Sequence, residues 1–259
     1  MPQSQLRPID LEGRVALVTG GTGETGTALV DALGSAGAEV AVADEPGAAL
    51  ERMAIRLGVA TFACTFSEAT QLDGVFGAVL ERFGGLDVLV CAHGSQPHPR
   101  PLLEISFEDY RRTIAVNLDS TFFAVQRAGR AMLAGGRGGR IVLVGSSGGP
   151  GSRPAGADFD ASQAALRGLV RGASTDLAPA GVTVNGIVHG CLRPPRSDEY
   201  EDPGTRSAAP AGLLGEPEDV ARAALWLVDP ENSYVTASIV TVDGGRSSQL
   251  APADDEASQ

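Results

Sequence analysis

Along the chain, short runs of apolar and β-branched residues alternate with longer stretches whose apolar positions recur every three or four residues. The runs fall at 14–19, 39–44, 60–64, 86–91, 140–145, 182–188 and 239–242. They are apolar at successive rather than alternate positions, so they predict strands covered on both faces. Strands separated by helical stretches need crossover connections, and these build a parallel sheet. The pattern therefore predicts an α/β fold: a doubly wound parallel sheet of about seven strands with helices on both faces, as one domain over 1–246.

Helix starts are marked where a cap or an early proline precedes the periodic stretch. Pro46 follows Asp44 and Glu45, Ser106 has Asp109 three residues on, and Pro217 precedes Glu218 and Asp219. The stretch 192–212 is rich in Pro, Ser, Asp and Glu and is long for a loop in such a fold, which suits a lid. Residues 247–259 form an acidic, solvated tail.

With 259 residues and 43% hydrophobic positions, the chain can bury a full core. The net charge of -12 excludes a phosphate-seeking nucleic-acid binder and an anionic-membrane binder, leaving a small molecule or a soluble partner. The sequence carries neither an apolar membrane-spanning stretch nor a signal-peptide core, so a cytoplasmic location is expected. Three widely spaced cysteines, Cys64, Cys91 and Cys191, give neither a disulfide framework nor a metal knuckle. All 20 basic residues are arginine. A chain without lysine has no Schiff-base or lysine-assisted chemistry.

Candidate chemistry begins after the first run. Thr19-Gly20-Gly21-Thr22-Gly23-Glu24-Thr25-Gly26 joins a predicted strand to a predicted helix. Such a turn can hold a pyrophosphate on backbone N–H groups at the helix N-terminus, with Gly20, Gly23 and Gly26 admitting the ligand and the packing. Asp44 ends the second run, where an acid can accept from an adenine ribose and repel a 2′-phosphate, so NAD is expected over NADP.

Further motifs follow in order: Phe83-Gly84-Gly85-Leu86-Asp87-Val88, Val116-Asn117-Leu118, the run from Ile141 to Ser147, Val184-Asn185, Gly215-Glu216-Pro217-Glu218-Asp219-Val220, and Val242-Asp243-Gly244-Gly245. This series, over nearly the whole chain, resembles the short-chain dehydrogenase/reductase family. The resemblance implies a Rossmann-type fold, a nicotinamide dinucleotide, and a homodimer or homotetramer paired through two long helices, here 107–133 and 159–177, with Phe122, Phe123, Leu166 and Leu169 at or near the interface. It also implies a Ser, a Tyr and a Lys, with an Asn supporting a proton relay. Asn117 matches the Asn and Ser146 the Ser. The family's Tyr-x-Ala-Ser-Lys segment appears as Phe159-Asp160-Ala161-Ser162-Gln163. The offset from 146 to 159 is the family's separation between Ser and Tyr, so Phe159 and Gln163 stand at the Tyr and Lys positions.

Other departures lie at the same cleft. Cys91-Ala92-His93-Gly94 stands for the family's Asn-Asn-Ala-Gly, and His189-Gly190 for its Pro-Gly. Pro194 stands where a Thr would hold the nicotinamide carboxamide, and Thr65 where an Asp would lie near the adenine. His93 and His189 can each act as an acid or base near neutrality, or simply fill space left by small residues. His98 and Arg100 mark a loop suited to a carboxylate or to plain exposure; Tyr200 lies in the lid; Trp226 suits core or interface; Asp158 and Asp160 are expected to be solvated. Three functions are open: a non-standard enzyme such as a cyclase, dehydratase or isomerase; an NAD-dependent oxidoreductase using Ser146, Asn117 and a substitute acid; or a non-catalytic partner of an active homologue.

Overall fold

The computed structural model describes residues 7–95, 100–146, 156–193 and 209–248. Seven strands form one parallel sheet: β1 (Val15–Thr19), β2 (Glu39–Asp44), β3 (Ala60–Ala63), β4 (Val88–Cys91), β5 (Gly139–Ser146), β6 (Val182–His189) and β7 (Ile239–Val242). Their spatial order is β3-β2-β1-β4-β5-β6-β7. All seven expected strands are present, with ends shifted by up to two residues. Sequence order reverses between β1 and β4, which opens the crevice where ligands bind in doubly wound sheets.

Residue parity along the strands divides the core. Leu17, Leu89, Ile141 and Val184 pack beneath helices α3 (Gln71–Phe83), α5 (Ser120–Gly135) and α6 (Ala157–Leu177). Their neighbours Val18, Val42, Val90, Val142 and Ile187 face α1 (Glu24–Ser35), α2 (Ala48–Leu57) and α7 (Pro217–Val228). Successive side chains on a strand point to opposite faces, so an unbroken apolar run is what a sheet sandwiched between two helical layers requires.

Capping follows the sequence at two places. The Ser106 side chain accepts from the backbone N–H of Asp109 at 3.0 Å, starting α4 (Phe107–Ile114). Glu216 and Asp219 form a reciprocal capping box ahead of α7, with Pro217 in the first turn. At α2 the start lies two residues past Pro46, with Gly47 at the N-cap and no side-chain cap.

The helix expected over 107–133 runs unbroken from 107 to 135 but changes period within it. A π-turn over Ala115–Asp119 separates α4 from α5, and Asn117 sits inside it, almost wholly buried. A π-turn inserts one extra residue and rotates the helix that follows; a 3.6-residue period gives no sign of it. Leu166 is buried within its own subunit, which removes it from the exposed interface set; Phe122 and Phe123 stay substantially exposed. Trp226 is 47% exposed, which places it on the surface rather than in the core. Most of the stretch 192–212 and of the tail 247–259 lies outside the described residues, as do His98, Pro194 and Tyr200. No helix among the described residues is long and apolar enough to cross a membrane.

Candidate functional site

The C-terminal ends of β1, β2, β4, β5 and β6 open onto one cleft of about 840 Å³. Its wall includes Gly20, Gly23 and Gly26, Asp44, His93, Ser146, Phe159, Gln163 and His189, so one cavity gathers most of the residues singled out from the sequence. Asn117 lies behind this wall, and Thr65 is absent from it: Phe66 forms the wall there. The Thr65 backbone N–H donates to Gln71 Oε1 at 2.8 Å.

The three glycines of the turn serve different ends. Gly20 has φ +75°, and a β-carbon on it would meet the backbone nitrogen of His93 at 2.4 Å. A β-carbon on Gly26 would lie 2.0 Å from the Gly20 carbonyl oxygen. Gly23, the N-cap of α1, would place its β-carbon no nearer than 3.7 Å to the same oxygen. Internal packing therefore accounts for Gly20 and Gly26 but not for Gly23. A bare backbone at a helix N-terminus, open toward a cleft, fits a pyrophosphate. Glu24 begins α1 at the cleft, and partial burial raises its pKa.

Asp44 is buried, and both its oxygens are engaged. Oδ2 accepts from the Thr22 backbone N–H and from the Thr22 hydroxyl, each at 2.7 Å, while Oδ1 accepts from the Glu45 N–H at 2.8 Å. A carboxylate has about four acceptor directions, so Asp44 fixes the glycine turn and keeps room for a ribose hydroxyl. Glu45, which the sequence reading passed over, accepts from the Phe66 N–H at 2.9 Å and adds a second carboxylate to this end. Its position next to Asp44 was the available signal. Among the described lining residues there is no arginine, so phosphate oxygens here would rely on backbone N–H groups.

His93 is locked between β1 and α5. Nδ1 lies 2.6 Å from the Thr19 hydroxyl, and Nε2 lies 2.6 Å from Ser120 Oγ and 3.3 Å from Thr121 Oγ1. Ser120 donates its own proton to the Val116 carbonyl and Thr121 to that of Asn117. Both hydroxyls must therefore accept from Nε2–H, which leaves Nδ1 to accept from Thr19. The ring stacks on Phe66 at 4.0 Å. Burial pushes its pKa down to about 3, so the ring is neutral at ordinary pH.

Asn117 ties the end of β4 to α6. Its Oδ1 accepts from the Ser95 N–H at 2.7 Å and the Ser95 hydroxyl at 3.1 Å, and its Nδ2 donates to Ser162 Oγ at 2.9 Å. Ser162 donates in turn to the Phe159 carbonyl at 2.6 Å. Gln163 reaches back from α6 to β5, where its Oε1 accepts from the Ser146 N–H at 2.8 Å. His189 pairs in register with Ser146 across β5 and β6, and its Nδ1 lies 2.8 Å from the Gly190 carbonyl oxygen. Burial lowers its pKa, partly offset by that carbonyl. Asp160 lines the cleft, while Asp158 accepts from the Thr113 hydroxyl at 2.7 Å; neither is the freely solvated acid expected. Arg100 is paired with Asp109. Cys191 also lines the cleft and accepts from Arg246 at 3.1 Å.

A strand-turn-helix cradle at the switch point of a doubly wound parallel sheet is the architecture of a Rossmann-type α/β protein. Comparison with known proteins refines that class. A family model described as enoyl-(acyl carrier protein) reductase matches residues 25–247. A 2,5-dichloro-2,5-cyclohexadiene-1,4-diol dehydrogenase of Sphingobium indicum is 33% identical over 244 residues, covering 91% of this chain and 98% of that one. A sorbitol dehydrogenase of Cereibacter sphaeroides is 32% identical over 253 residues, with the same coverage of 91% and 98%. A solved short-chain dehydrogenase/reductase of Serratia marcescens superposes with a TM-score of 0.84 at 31% identity, covering 92% of this chain and 99% of that one. The chain belongs to the short-chain dehydrogenase/reductase family.

Proposed function

We propose that this protein is a non-standard short-chain dehydrogenase/reductase that acts on a small metabolite without the usual Tyr-Lys hydride chemistry, as a cyclase, dehydratase or isomerase. The observation that carries this reading is the pair Phe159 and Gln163 on the cleft wall. Phenylalanine has no transferable proton. Gln163 is an amide whose oxygen is committed to the backbone of Ser146. An aligned general acid contributes about 10² to 10⁴ in rate, and the family positions that would supply it hold groups unable to do so.

The glycine turn and Asp44 support a nicotinamide dinucleotide, in the form of NAD, as the ligand of the β1–β2 end. Gly23 and the first turn of α1 would take the pyrophosphate, and Asp44 a ribose hydroxyl. Bound there, the group would be able to exchange hydride, but without the family's Tyr-Lys proton donor beside it. Ser146 would hydrogen-bond a substrate oxygen, and Asn117 would hold α6 against the end of β4. A small-molecule partner and a homodimer or homotetramer complete the proposal, the latter supported by exposed Phe107, Phe122 and Phe123 on α4 and α5.

The test is stopped-flow and steady-state absorbance of NADH with a panel of ketones and NAD with a panel of alcohols. Negligible turnover alongside measurable dinucleotide binding supports the reading. Turnover on the order of 1 to 10³ per second overturns it. A second reading, an NAD-dependent oxidoreductase with a substitute acid, is favoured by the dehydrogenase relatives and by the placement of His189 beside Ser146.

A further inference from the structure

Ser146 and His189 are register partners at the ends of neighbouring parallel strands. Such partners stand about 4.8 Å apart, with side chains on the same face of the sheet. Both line the cleft, and Phe159 and Gln163 face the same space from α6.

The protons at this wall can be assigned from the bonds. A carbonyl oxygen only accepts, so the contact of His189 Nδ1 with the Gly190 oxygen puts the imidazole proton on Nδ1. Nε2 then carries the lone pair. A backbone N–H only donates, so the bond from Ser146 N fixes the Gln163 amide with its oxygen toward the strand. Its NH₂ group is a donor that no acceptor among the described residues takes. The wall thus holds a base, His189 Nε2, and two neutral donors, the Ser146 hydroxyl and the Gln163 amide. His93, the other histidine of the cleft, has both nitrogens occupied by hydroxyls.

Two neutral donors and a base without a strong acid suit enolate chemistry better than alkoxide chemistry. An alkoxide must be protonated to leave as an alcohol. An enolate oxygen needs only hydrogen bonds until a proton returns to carbon. Resting on the non-hydride reading above, we propose that His189 is the catalytic proton carrier of this cleft and that the substrate is a ketone or enone whose oxygen is held by Ser146 and Gln163. In the forward step the C–H bond between carbonyl and alkene breaks and Nε2 takes the proton. The electron pair forms the enolate C=C, and charge shifts to the oxygen. The imidazolium then gives its proton to the far carbon of the dienolate, forming a C–H bond there and moving the double bond into conjugation. Substrate and product are isomers, so no oxidant or reductant is consumed. Burial, which lowers the His189 pKa, keeps the ring neutral and ready to accept.

The experiment uses the full chain with 3-cyclohexen-1-one in D₂O, with NADH in the same cell. The conjugated product is followed by ultraviolet absorbance and deuterium uptake by NMR. Wild type is expected to isomerise and exchange the probe above buffer. His189→Asn and His189→Ala should lower the rate by about 10² to 10⁴, with added imidazole restoring part of the loss in His189→Ala. Ser146→Ala should lower it as well. Retention of the wild-type rate by folded His189→Asn overturns the assignment, as does the absence of exchange in wild type. NADH oxidation reports separately on the function proposed above: if it accompanies His189-dependent exchange, that reading fails and His189 remains the proton carrier.

Discussion

The carbonyl oxygen of Gly20 lies 2.0 Å from where a β-carbon on Gly26 would be, and 3.7 Å from where one on Gly23 would be. The first separation is a clash between backbone atoms at the start of α1; the second is ordinary contact. Gly26→Ala should therefore lower stability by about 1 to 3 kcal/mol or more, since the helix start must shift to admit the methyl group. In a chain of this size each kcal/mol moves Tm by about 2 to 4 °C. Gly23→Ala should leave Tm nearly unchanged and weaken dinucleotide binding. Calorimetry of both variants, with and without NADH, checks the pair; equal loss of Tm in both would refute the division of roles.

Cofactor choice follows from Asp44 and Glu45. Both carboxylates line the cleft at the end of β2, and among its described lining residues there is no arginine. A 2′-phosphate would meet like charge there, so NADH should bind at least about tenfold more tightly than NADPH, a difference of about 1.4 kcal/mol. Isothermal titration with both cofactors decides it. Tighter binding of NADPH would show that this end does not receive the ribose.

His93 should make stability depend on pH. Its pKa is about 6.5 as a free side chain and about 3 in the fold, because burial disfavours the cation. Between these values the unfolded chain binds more protons than the folded one. The contribution is thus complete above about pH 6.5 and is lost as pH falls toward 3, at up to about 1.4 kcal/mol per pH unit. Urea unfolding at pH 7, 6, 5 and 4 should show this slope in wild type and a shallower one in His93→Gln. His189, also shifted downward by burial, adds a smaller contribution of the same sign.

Restoring a proton donor should restore reduction. Phe159→Tyr with Gln163→Lys is expected to raise carbonyl-dependent NADH oxidation by about 10² or more where the cofactor binds. The double variant carries a structural cost. A lysine cannot accept from the Ser146 N–H, which Gln163 now satisfies at 2.8 Å in a partly buried bond, and an orphaned donor there costs less than the ~1 to 3 kcal/mol of a fully buried one. A lower Tm with higher activity is the expected result, and unchanged activity with bound NADH would place the missing acid elsewhere.

Assembly rests on the exposed aromatic residues of α4 and α5, where Phe107 is 79% and Phe122 46% exposed. Light scattering at micromolar concentration should give a dimer or tetramer, and Phe107→Asp with Phe122→Asp should shift it toward monomer. A wild-type monomer would refute the interface.

The sequence by itself determined the sheet. Seven apolar runs became seven strands because a run of apolar residues is a local property of composition, visible without knowing which strand neighbours which; that the edge strands β3 and β7 are only partly covered, against the expectation of two buried faces, was decided by their place in the sheet. The cap at Ser106, the helix start at Pro217 and the glycine turn were legible for the same reason: each depends on residues a few positions apart. What the tertiary structure decided lies in contacts between distant segments. The partners of His93 come from Thr19, Phe66, Ser120 and Thr121, whose separations of up to 74 positions leave no periodic trace. The same holds for the bond from Ser146 to Gln163 and for the pairing of Ser146 with His189, which exist only once β5, β6 and α6 converge. Two histidines equivalent as residue types differ because one is enclosed by hydroxyls on both sides, while the other keeps a ring nitrogen for the cleft; the proton on each is set by neighbours that folding alone brings within hydrogen-bond range.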